Sequence, residues 1–535
     1  MQAGERPIQD VIKKEHTFTI PDYQRPYTWD VENTTQLLTD IQDAIDNNEV
    51  EYFIGSIVTI EKEKNSTYEV VDGQQRLTTI NIVFSALRDL VKTEAVKNQL
   101  SDRLMLMDVY ADPPEPKSRL QVRSQDVEIY HGVVIESEVI TEKKDYTDSQ
   151  LNIIANKAAA IEFFKKKDEK ALKVFAQYLE KQVYLVFITA AKFDSALRLF
   201  NVLNSRGVAL SNGDLIKSHL YGAVKDAEAF VETWDEIEEN VGISYLDYFF
   251  GHLRTSLVAD KARTNLFSEI SSYLKASKAK PEDFIKQAKE ASVLYEKIFN
   301  NKMEPPSARK LVLSLLQVSH DDWIPPMLAF FSTGKKNAEM APQKFISLLE
   351  KITYQMWICG LYRDARNQFY YRLIKAIKGQ SKESIAEVFE TNWTKSLKAQ
   401  LAEDVYGRGF AKAVLLRVEM DQQDDSVEKI FNGTITIEHV LPQTMKDPYW
   451  KDRFSVEEHQ HWVHKLGNLT LLSGPKNSSA QNSDFDKKKA VYNERNKKVS
   501  FDLTKEVCQK QNWSPTIVKN RHEALVEDAV KIWKI

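Results

Sequence analysis

The sequence predicts a multidomain α+β protein, and three observations support this class. The chain has 535 residues, a length typical of about three to four domains. Short β-rich runs mix with helical patterns in the first part and again in the last, whereas helical spacing dominates between them. We expect an α+β domain in residues 1–220, a helical middle region in 221–425 and a strand-and-helix domain in 426–535.

The composition excludes several classes of protein. Hydrophobic residues make up 42% and charged residues 28%, as in folded globular chains. Only Cys359 and Cys508 are present, which argues against a disulfide framework and a four-cysteine zinc site. We find no apolar run long enough to cross a bilayer and no signal-peptide core. The sequence therefore predicts a cytoplasmic protein without a membrane partner, whose net charge of −4 still permits a local basic face.

The first element of interest is the segment "IPDYQRPYTWD", which begins at residue 20. Its two prolines exclude regular helix, so its polar and aromatic side chains are held on an irregular loop. Contact residues are common on such loops, and the candidates here are Tyr23, Gln24, Arg25, Tyr27 and Trp29.

The next segment, "EYFIGSIVTIEKEKNSTYEVVDG", predicts a β-hairpin with a polar turn at residues 64–66. Gly55 lies inside its first apolar strand, which indicates a bulge or the close approach of another group. The proline-rich piece "ADPPEPKSR" from Ala111 predicts a loop.

The stretch "YEVVDGQQRLTTINIVFSALRDL" predicts a strand, a tight turn at Asp72-Gly73 and a helix with one buried stripe. The free amides of a first helical turn bind anions, and glycine allows a phosphate to approach closely. Arg76 would oppose the helix dipole unless an anion lies between them. Alternatively, Asp72-Gly73 is only a turn and Arg76 pairs with an acidic neighbour.

A further polar segment, "LFNVLNSRGVALSNGDLIKSHL", predicts a helix closing at Asn204, a turn through Arg206-Gly207 and a new helix capped by Asp214. Plain capping is an equally good explanation for Asn204 and Asp214.

These segments, in this order, resemble the ParB/sulfiredoxin-like amino-terminal domain of GmrSD-type (type IV) modification-dependent restriction enzymes. The resemblance covers about the first 220 residues. It implies that a nucleoside triphosphate (GTP, ATP, CTP or UTP) binds at Asp72, Gly73, Gln74, Gln75 and Arg76, with Gln24 and Arg25 nearby. It further implies a pocket for nucleotide or modified DNA formed by Tyr23, Tyr27, Trp29, Asn204 and Arg206.

The carboxy-terminal region contains "TITIEHVLPQT", a strand that ends on a charged pair. Alternation places Ile435, Ile437, His439 and Leu441 on one face, so the histidine is either buried or lines a site. Downstream, "KLGNLTLLSGPKNSSAQNSDFDKKK" predicts a second strand at 469–472 and a helix beginning near Asp484.

This ββα pattern resembles the HNH, or His-Me finger, nuclease domain of the same enzymes. The resemblance assigns His439 as general base and puts Glu438 and Asn477 on a magnesium or manganese ion. It makes Asn468 the catalytic-site residue that holds the loop carrying the histidine. Because adjacent strand residues face opposite sides, Glu438 and His439 can share a site only if the strand twists or ends there.

The segment 476–498 carries seven basic and three acidic residues. Beside a nuclease motif, this excess predicts DNA-backbone contacts by Lys476, Lys487, Lys488 and Lys489. For His459, His461 and His464 we expect a solvated helix or loop rather than a zinc site, since no cysteine lies nearby.

Taken together, the segments predict a nucleotide-regulated, modification-dependent endonuclease of anti-phage defence that acts on double-stranded DNA. Three alternatives stay open: an SspE-like enzyme stimulated by phosphorothioate, a nucleotide-switched DNA-binding protein with an inactive HNH unit, and an RNA-directed nuclease. The sequence is also compatible with a homodimer.

Overall fold

The protein divides into two compact units, Met1–Ala227 and Glu228–Ile535. The computed structural model describes residues 2–13, 15–63, 66–108, 115–140, 146–190, 211–332, 340–422, 434–473, 482–493 and 501–535. Within these ranges, no helix is long and apolar enough to cross a membrane.

The first unit combines strands and helices. Its strands are β1 Gln2–Pro7, β2 Thr17–Thr19, β3 Tyr52–Glu63, β4 Thr67–Asp72, β5 Met105–Asp108, β6 Glu115–Ser118, β7 Leu120–Gln121 and β8 Val183–Ala190. Its helices are α1 Ile8–Val11, α2 Val31–Asp46, α3 Gln74–Leu90, α4 Glu94–Leu104, α5 Val127–Tyr130, α6 Asp148–Lys165, α7 Glu169–Lys181 and α8 Asn212–Tyr221.

Six of these strands form a mixed sheet in the order β1-β8-β3-β4-β2-β7. The neighbours β4, β2 and β7 run parallel to one another. Because parallel strands end at the same edge of a sheet, the loops that follow these three strands meet at that edge. The loops contain Gly73, Arg25 and Arg123, respectively.

The predicted hairpin and helix are confirmed. Strands β3 and β4 pair antiparallel, although Lys64 and Asn65 of the turn lie outside the described residues. Helix α3 buries every residue from Leu77 to Arg88 and not a single stripe, because it is the central helix of the unit. Its buried polar groups are used internally; for example, Ser85 Oγ donates to Val134 O at 2.5 Å.

Two local predictions in this unit are wrong. The piece from Ala111 is not wholly loop, since Glu115–Ser118 form β6 and pair antiparallel with β5. A proline is tolerated there because this two-stranded sheet leaves an edge free of ladder hydrogen bonds. Ser211, not Asp214, caps α8; Asp214 is the third helical residue and completes a capping box.

The second unit is mainly helical. Its helices are α9 Ala227–Val241, α10 Leu246–Val258, α11 Leu266–Ser277, α12 Pro281–Phe299, α13 Pro306–Leu315, α14 Ile324–Ser332, α15 Pro342–Ile358, α16 Arg363–Ile377, α17 Ile385–Glu390, α18 Thr394–Ala402, α19 Ala411–Asp421, α20 Pro448–Lys451, α21 Val456–Trp462, α22 Phe485–Tyr492, α23 Asp502–Gln509 and α24 Pro515–Trp533. Strands β9 Ile435–His439 and β10 Leu469–Ser473 form an antiparallel pair.

The β9–β10 pair shares a hydrophobic core with the helices that precede it in sequence. One buried cluster joins Tyr354 of α15 and Leu415 of α19 to Leu471 of β10 and Trp533 of α24. Trp533 Nε1 also donates to Glu350 Oε1 at 3.0 Å. The position near residue 425 where the sequence suggests a boundary therefore lies inside one compact unit.

Candidate functional site

In the first unit, the candidate site begins at the turn between β4 and α3. Gly73 has φ of +89°, and a Cβ there would lie 2.8 Å from Ile57 Cγ1 and 2.9 Å from Ser56 O. Only glycine fits this turn, which brings the start of α3 against β3. Gly73 supplies no capping side chain, and the first intrahelical bond runs from Leu77 N to Gly73 O at 2.9 Å.

The two glutamines of the turn bind the loop that follows β2. Gln74 Nε2 donates to Arg25 O at 2.9 Å, and Gln75 Nε2 donates to Pro26 O at 3.0 Å. Gln75 Oε1 accepts from the backbone amides of Thr28 at 2.9 Å and Trp29 at 3.2 Å. The side chains predicted to bind nucleotide thus hold the loop in place.

Residues of that loop are also anchored inward. Gln24 is buried, and its Nε2 donates to Val71 O at 3.1 Å. Tyr27 Oη lies 2.7 Å from Thr79 Oγ1, and burial raises its pKa. Trp29 packs partly buried against the core of the unit.

Tyr23 follows the same pattern. Its hydroxyl donates to Glu69 Oε1 at 2.8 Å, and burial raises its pKa. The aromatic residues predicted as pocket lining therefore support the loop, while Asn204 and Arg206 lie outside the described residues.

Arg76 and Asp72 face the neighbouring strand. Arg76 Nη1 donates to Ser56 O at 3.1 Å, and its guanidinium lies so close to Gly55 that a Cβ there would be 3.0 Å away. This contact and an irregular register between Phe53 and Ser56 confirm both expectations for Gly55. Burial raises the pKa of Asp72, and the charge of Arg76 opposes this shift.

A small open cleft lies where the loops meet. Arg25 lines it, and Arg25 Nε lies 3.1 Å from Asp214 Oδ2. The other lining residues are Ile20, Tyr27, Gln74, Thr78, Val122, Arg123, Asp126 and Ile153. Sequence reasoning missed Arg123 and Asp126, although Arg123 lies two residues after the end of β7, a position at which ligands bind in parallel sheets.

In the second unit, the candidate site is formed by β9, β10 and α22. His439 pairs with Leu469 and Glu438 with Thr470 across the two strands. Glu438 is buried, and its Oε1 accepts from Lys488 Nζ at 2.6 Å and from Tyr492 Oη at 2.9 Å. Burial raises the pKa of Glu438, whereas the charge of Lys488 lowers it.

His439 makes a different set of side-chain contacts. Its Nε2 lies 3.3 Å from His464 Nδ1, and its Nδ1 lies 3.4 Å from Gln443 Nε2. The ring of Tyr406 packs against it, with centroids 4.1 Å apart. His439 is 6% exposed, and burial together with His464 lowers its pKa to about 3. The imidazole is therefore neutral at pH 7.

Strand β9 ends at His439, as the sequence suggested. The side chains of Glu438 and His439 nevertheless contact different residues. Glu438 contacts α22, whereas His439 contacts His464 and Tyr406, which belong to none of the elements β9, β10 and α22. Only the His439 carbonyl reaches the same lysine, since it accepts from Lys488 Nζ at 2.6 Å.

Asn468 holds the loop that follows His439. Its Nδ2 donates to Leu441 O at 2.9 Å and Val463 O at 3.0 Å. Its Oδ1 accepts from Leu441 N at 2.7 Å and Trp513 Nε1 at 3.1 Å. All four hydrogen-bonding positions of this fully buried amide are used by the protein, so Asn468 acts on the site through the loop.

The predicted DNA-contacting lysines differ in exposure. Lys488 is 1% exposed and paired with Glu438, an arrangement that disfavours the DNA-backbone contact predicted for it. Lys487 is exposed beside Asp484. Lys489 lies 2.9 Å from Asp486 and above the Phe485 ring. Lys476 and Asn477 lie outside the described residues.

The histidines after His439 are not all solvated, contrary to expectation. His461 is exposed on α21, but His459 Nε2 lies 2.9 Å from Pro442 O, and His464 contacts His439. Within the described ranges, no three His, Cys, Asp or Glu side chains come close enough to hold a metal ion.

Sequence reasoning missed Lys488, Tyr492, His464 and Tyr406 as neighbours of the predicted site residues. A signal existed for the first two, because Phe485, Lys488 and Tyr492 are three and four positions apart and share one helix face. A lysine on an otherwise aromatic face predicts a buried ion pair. Tyr406 carries no such local signal, since it comes from a distant segment.

Comparison with known families gives two matches. Residues 8–221 match the model for the amino-terminal domain of the GmrSD restriction endonuclease, and residues 392–528 match that for the carboxy-terminal domain of GmrSD restriction endonucleases. No curated protein matches the chain. Both halves of one family are thus present in order, each covering one of the candidate sites, and the chain belongs to the GmrSD restriction endonucleases.

Proposed function

We propose that this restriction endonuclease cleaves phage DNA that carries a modification, under the control of a nucleoside triphosphate bound in the first unit. We propose a ParB/sulfiredoxin-like fold for the region 1–220 and an HNH fold for 426–535. The parallel strands that end at the β4–α3 turn support the first assignment. The β9–β10 pair followed by α22 supports the second.

The observation that carries the nuclease proposal is the setting of His439. Its imidazole is neutral at pH 7 and held by His464, Tyr406 and Gln443. The contacts are satisfied when Nε2 donates to His464, which leaves Nδ1 as the basic nitrogen next to the Gln443 amide. We assign Nδ1 the role of taking the proton from the attacking water.

A pKa of about 3 also makes His439 a weak base in this arrangement. The proposal therefore requires the bound phosphodiester to raise that pKa, because a nearby negative charge favours the protonated imidazole. Because Gln443 is exposed, a water molecule can replace its amide beside Nδ1 of His439.

We propose that cleavage uses Mg²⁺ or Mn²⁺, which would stabilise the charge that develops on the scissile phosphate. The described residues do not complete a site for this ion, because an ammonium and a phenol hydroxyl already bind Glu438 Oε1. We therefore assign no step to the metal. Chelation with EDTA should abolish cleavage, and added Mg²⁺ or Mn²⁺ should restore it.

The test of the nuclease is plasmid cleavage by His439→Ala, with the exposed His461→Ala as matched control. General-base catalysis contributes about 10²- to 10⁴-fold, so we expect a loss of that order for His439→Ala and none for the control. Unchanged cleavage would remove His439 from the mechanism.

The substrate is tested with matched plasmids that are unmodified, that carry glucosylated hydroxymethylcytosine or that carry phosphorothioate. Each is incubated with GTP, ATP, CTP or UTP. Cleavage confined to the phosphorothioate plasmid would indicate the SspE-like alternative. Equal cleavage of all three plasmids would contradict modification dependence.

A second candidate function is nucleotide-switched DNA binding by a protein whose nuclease unit is inactive. The pairing of Lys488 with Glu438 favours it, because the carboxylate assigned to the metal is already neutralised. DNA binding without cleavage under all of the above conditions would support this candidate.

A further inference from the structure

Arg123 is an unusual buried residue of the first unit. It is 5% exposed, and its Nε has no hydrogen-bond partner. Of its three guanidinium nitrogens, Nε is the one that is both buried and without a partner among the described residues, and the charge of Asp126 acts on the group from a longer distance. A buried donor without an acceptor is unfavourable.

Other buried arginines of the same unit are satisfied. Arg119, which is 2% exposed, donates to the carbonyl oxygens of Lys13 and His16, and Arg88 donates to those of Val134 and Ile135. The fold can therefore supply acceptors to a buried guanidinium. Its failure to do so at Arg123 indicates that the acceptor comes from a ligand.

The position of Arg123 indicates the chemistry of that ligand. Arg123 lines the same cleft as Arg25 and as Gln74, the first residue of α3. The guanidinium of Arg123, the guanidinium of Arg25 beside its partner Asp214, and the positive end of a helix dipole favour an anion with several acceptor oxygens. Phosphate has this chemistry.

We propose that Arg123 and Arg25 form the subsite for the terminal phosphate of a nucleoside triphosphate. This inference rests on the nucleotide binding proposed above and names the residues that recognise it. The cleft lies at the carboxyl ends of the parallel strands β4, β2 and β7 and beside the start of α3, which is the position at which α/β sheets bind nucleotides. This position favours a nucleotide over the DNA backbone.

Asp126 lines the same cleft and is the group that opposes an anion. It is 3% exposed, burial raises its pKa, and a hydrogen bond with Ser149 lowers it. Asp126→Asn keeps the shape of the side chain and removes the repulsion, so this substitution should strengthen phosphate binding.

The experiment is calorimetric titration of the full chain with inorganic tripolyphosphate, ATP, GTP and AMP. Arg123→Gln should weaken binding of tripolyphosphate and of the preferred triphosphate by at least about tenfold, since a hydrogen bond to a charged group contributes about 1.5–3 kcal/mol. AMP, which lacks the terminal phosphate, should bind both proteins equally. Asp126→Asn should bind tripolyphosphate several-fold more tightly, and the exposed Lys166→Gln should match the wild type.

Thermal melting distinguishes a loss of binding from misfolding of the variant. Arg123→Gln removes a largely buried charge whose Nε has no acceptor, so its Tm without nucleotide should equal or exceed that of the wild type. The preferred triphosphate should raise the Tm of the wild type more than that of the variant.

The outcomes separate this inference from the proposed function. Equal tripolyphosphate affinity of wild type and Arg123→Gln would overturn the subsite and leave nucleotide binding intact. Arg123-dependent binding of tripolyphosphate without nucleotide binding would keep the anion site and reject the nucleotide. Absence of both would reject both. Loss of duplex-DNA binding with unchanged nucleotide affinity would show that the phosphate belongs to DNA and overturn the nucleotide assignment.

Discussion

At the edge of the six-stranded sheet, Gln24, Gln74 and Gln75 bind the backbone of neighbouring segments, while Arg123 keeps a buried Nε without a partner. In the β9–β10–α22 region, by contrast, Glu438 and Asn468 are both bound by protein groups. The first site therefore contains a buried donor without an acceptor, whereas in the second the charge of Glu438 is neutralised by Lys488.

This difference shows that, within each candidate site, some side chains support a loop and others carry or compensate charge. In the first unit, glutamine side chains fix the loop, while Arg25 pairs with Asp214 and Arg123 keeps a buried Nε without an acceptor. In the second, the asparagine fixes the loop and the lysine of α22 compensates the glutamate. The following predictions test whether each side chain acts as a support or as a ligand-binding group, from the largest expected effect to the smallest.

Asn468→Ala should have the largest effect on stability. It leaves buried backbone groups of Leu441 and Val463 and the Trp513 indole without partners. At about 1–3 kcal/mol for each unsatisfied group, partly relieved by relaxation, we expect a loss of about 3–4 kcal/mol. Urea unfolding measures this loss, with the exposed Asn300→Ala as control. A decrease below about 1 kcal/mol in the free energy of unfolding would show that the loop after His439 is stable without the Asn468 side chain.

Lys488→Met should destabilise the second unit by about 3 kcal/mol, because it leaves Glu438 buried without its countercharge. The double variant Lys488→Met/Glu438→Gln should recover most of this loss. Chemical denaturation of both proteins measures the coupling. Additive losses would contradict a tight buried pair, and Lys487→Met, altered at an exposed neighbour, should be nearly neutral.

His464→Leu should reduce the rate of cleavage by about tenfold, since His439 loses the partner that orients its ring. His464→Asn retains a side-chain acceptor and should restore part of the rate. Single-turnover cleavage at saturating DNA separates the rate from binding, and ¹⁵N NMR of the His439 ring reports its tautomer. An unchanged tautomer in His464→Leu would exclude this role.

Gln75→Ala should have the smallest effect, a loss of about 1–2 kcal/mol, because the bonds that it removes are partly exposed to water. The specific readout is hydrogen exchange at the amides of Thr28 and Trp29, which should become faster. Gln36→Ala, on an exposed face of α2, is the control. Unchanged protection of both amides would show that Gln75 does not hold the loop.

Much of the fold follows from local patterns. The β3–β4 hairpin, the helix after Gly73, the helical middle and strands β9 and β10 are all readable, because they depend on hydrophobic spacing and turn residues close in sequence. The strand β6 and the cap of α8 could not be predicted from the sequence. Pro116 argued against a strand, and Asp214 was a second candidate for the cap that Ser211 forms.

The sequence by itself determined which residue types stand at each candidate site: a glycine turn followed by an arginine in the first turn of a helix, and a Glu-His pair at a strand end. Only the tertiary structure decided what those side chains meet. Lys488 reaches Glu438, His464 and Tyr406 reach His439, and Arg123 joins Arg25 in one cleft. Most of these partners lie far apart in the chain, and contacts at such separation depend on how the core packs, which no local pattern specifies.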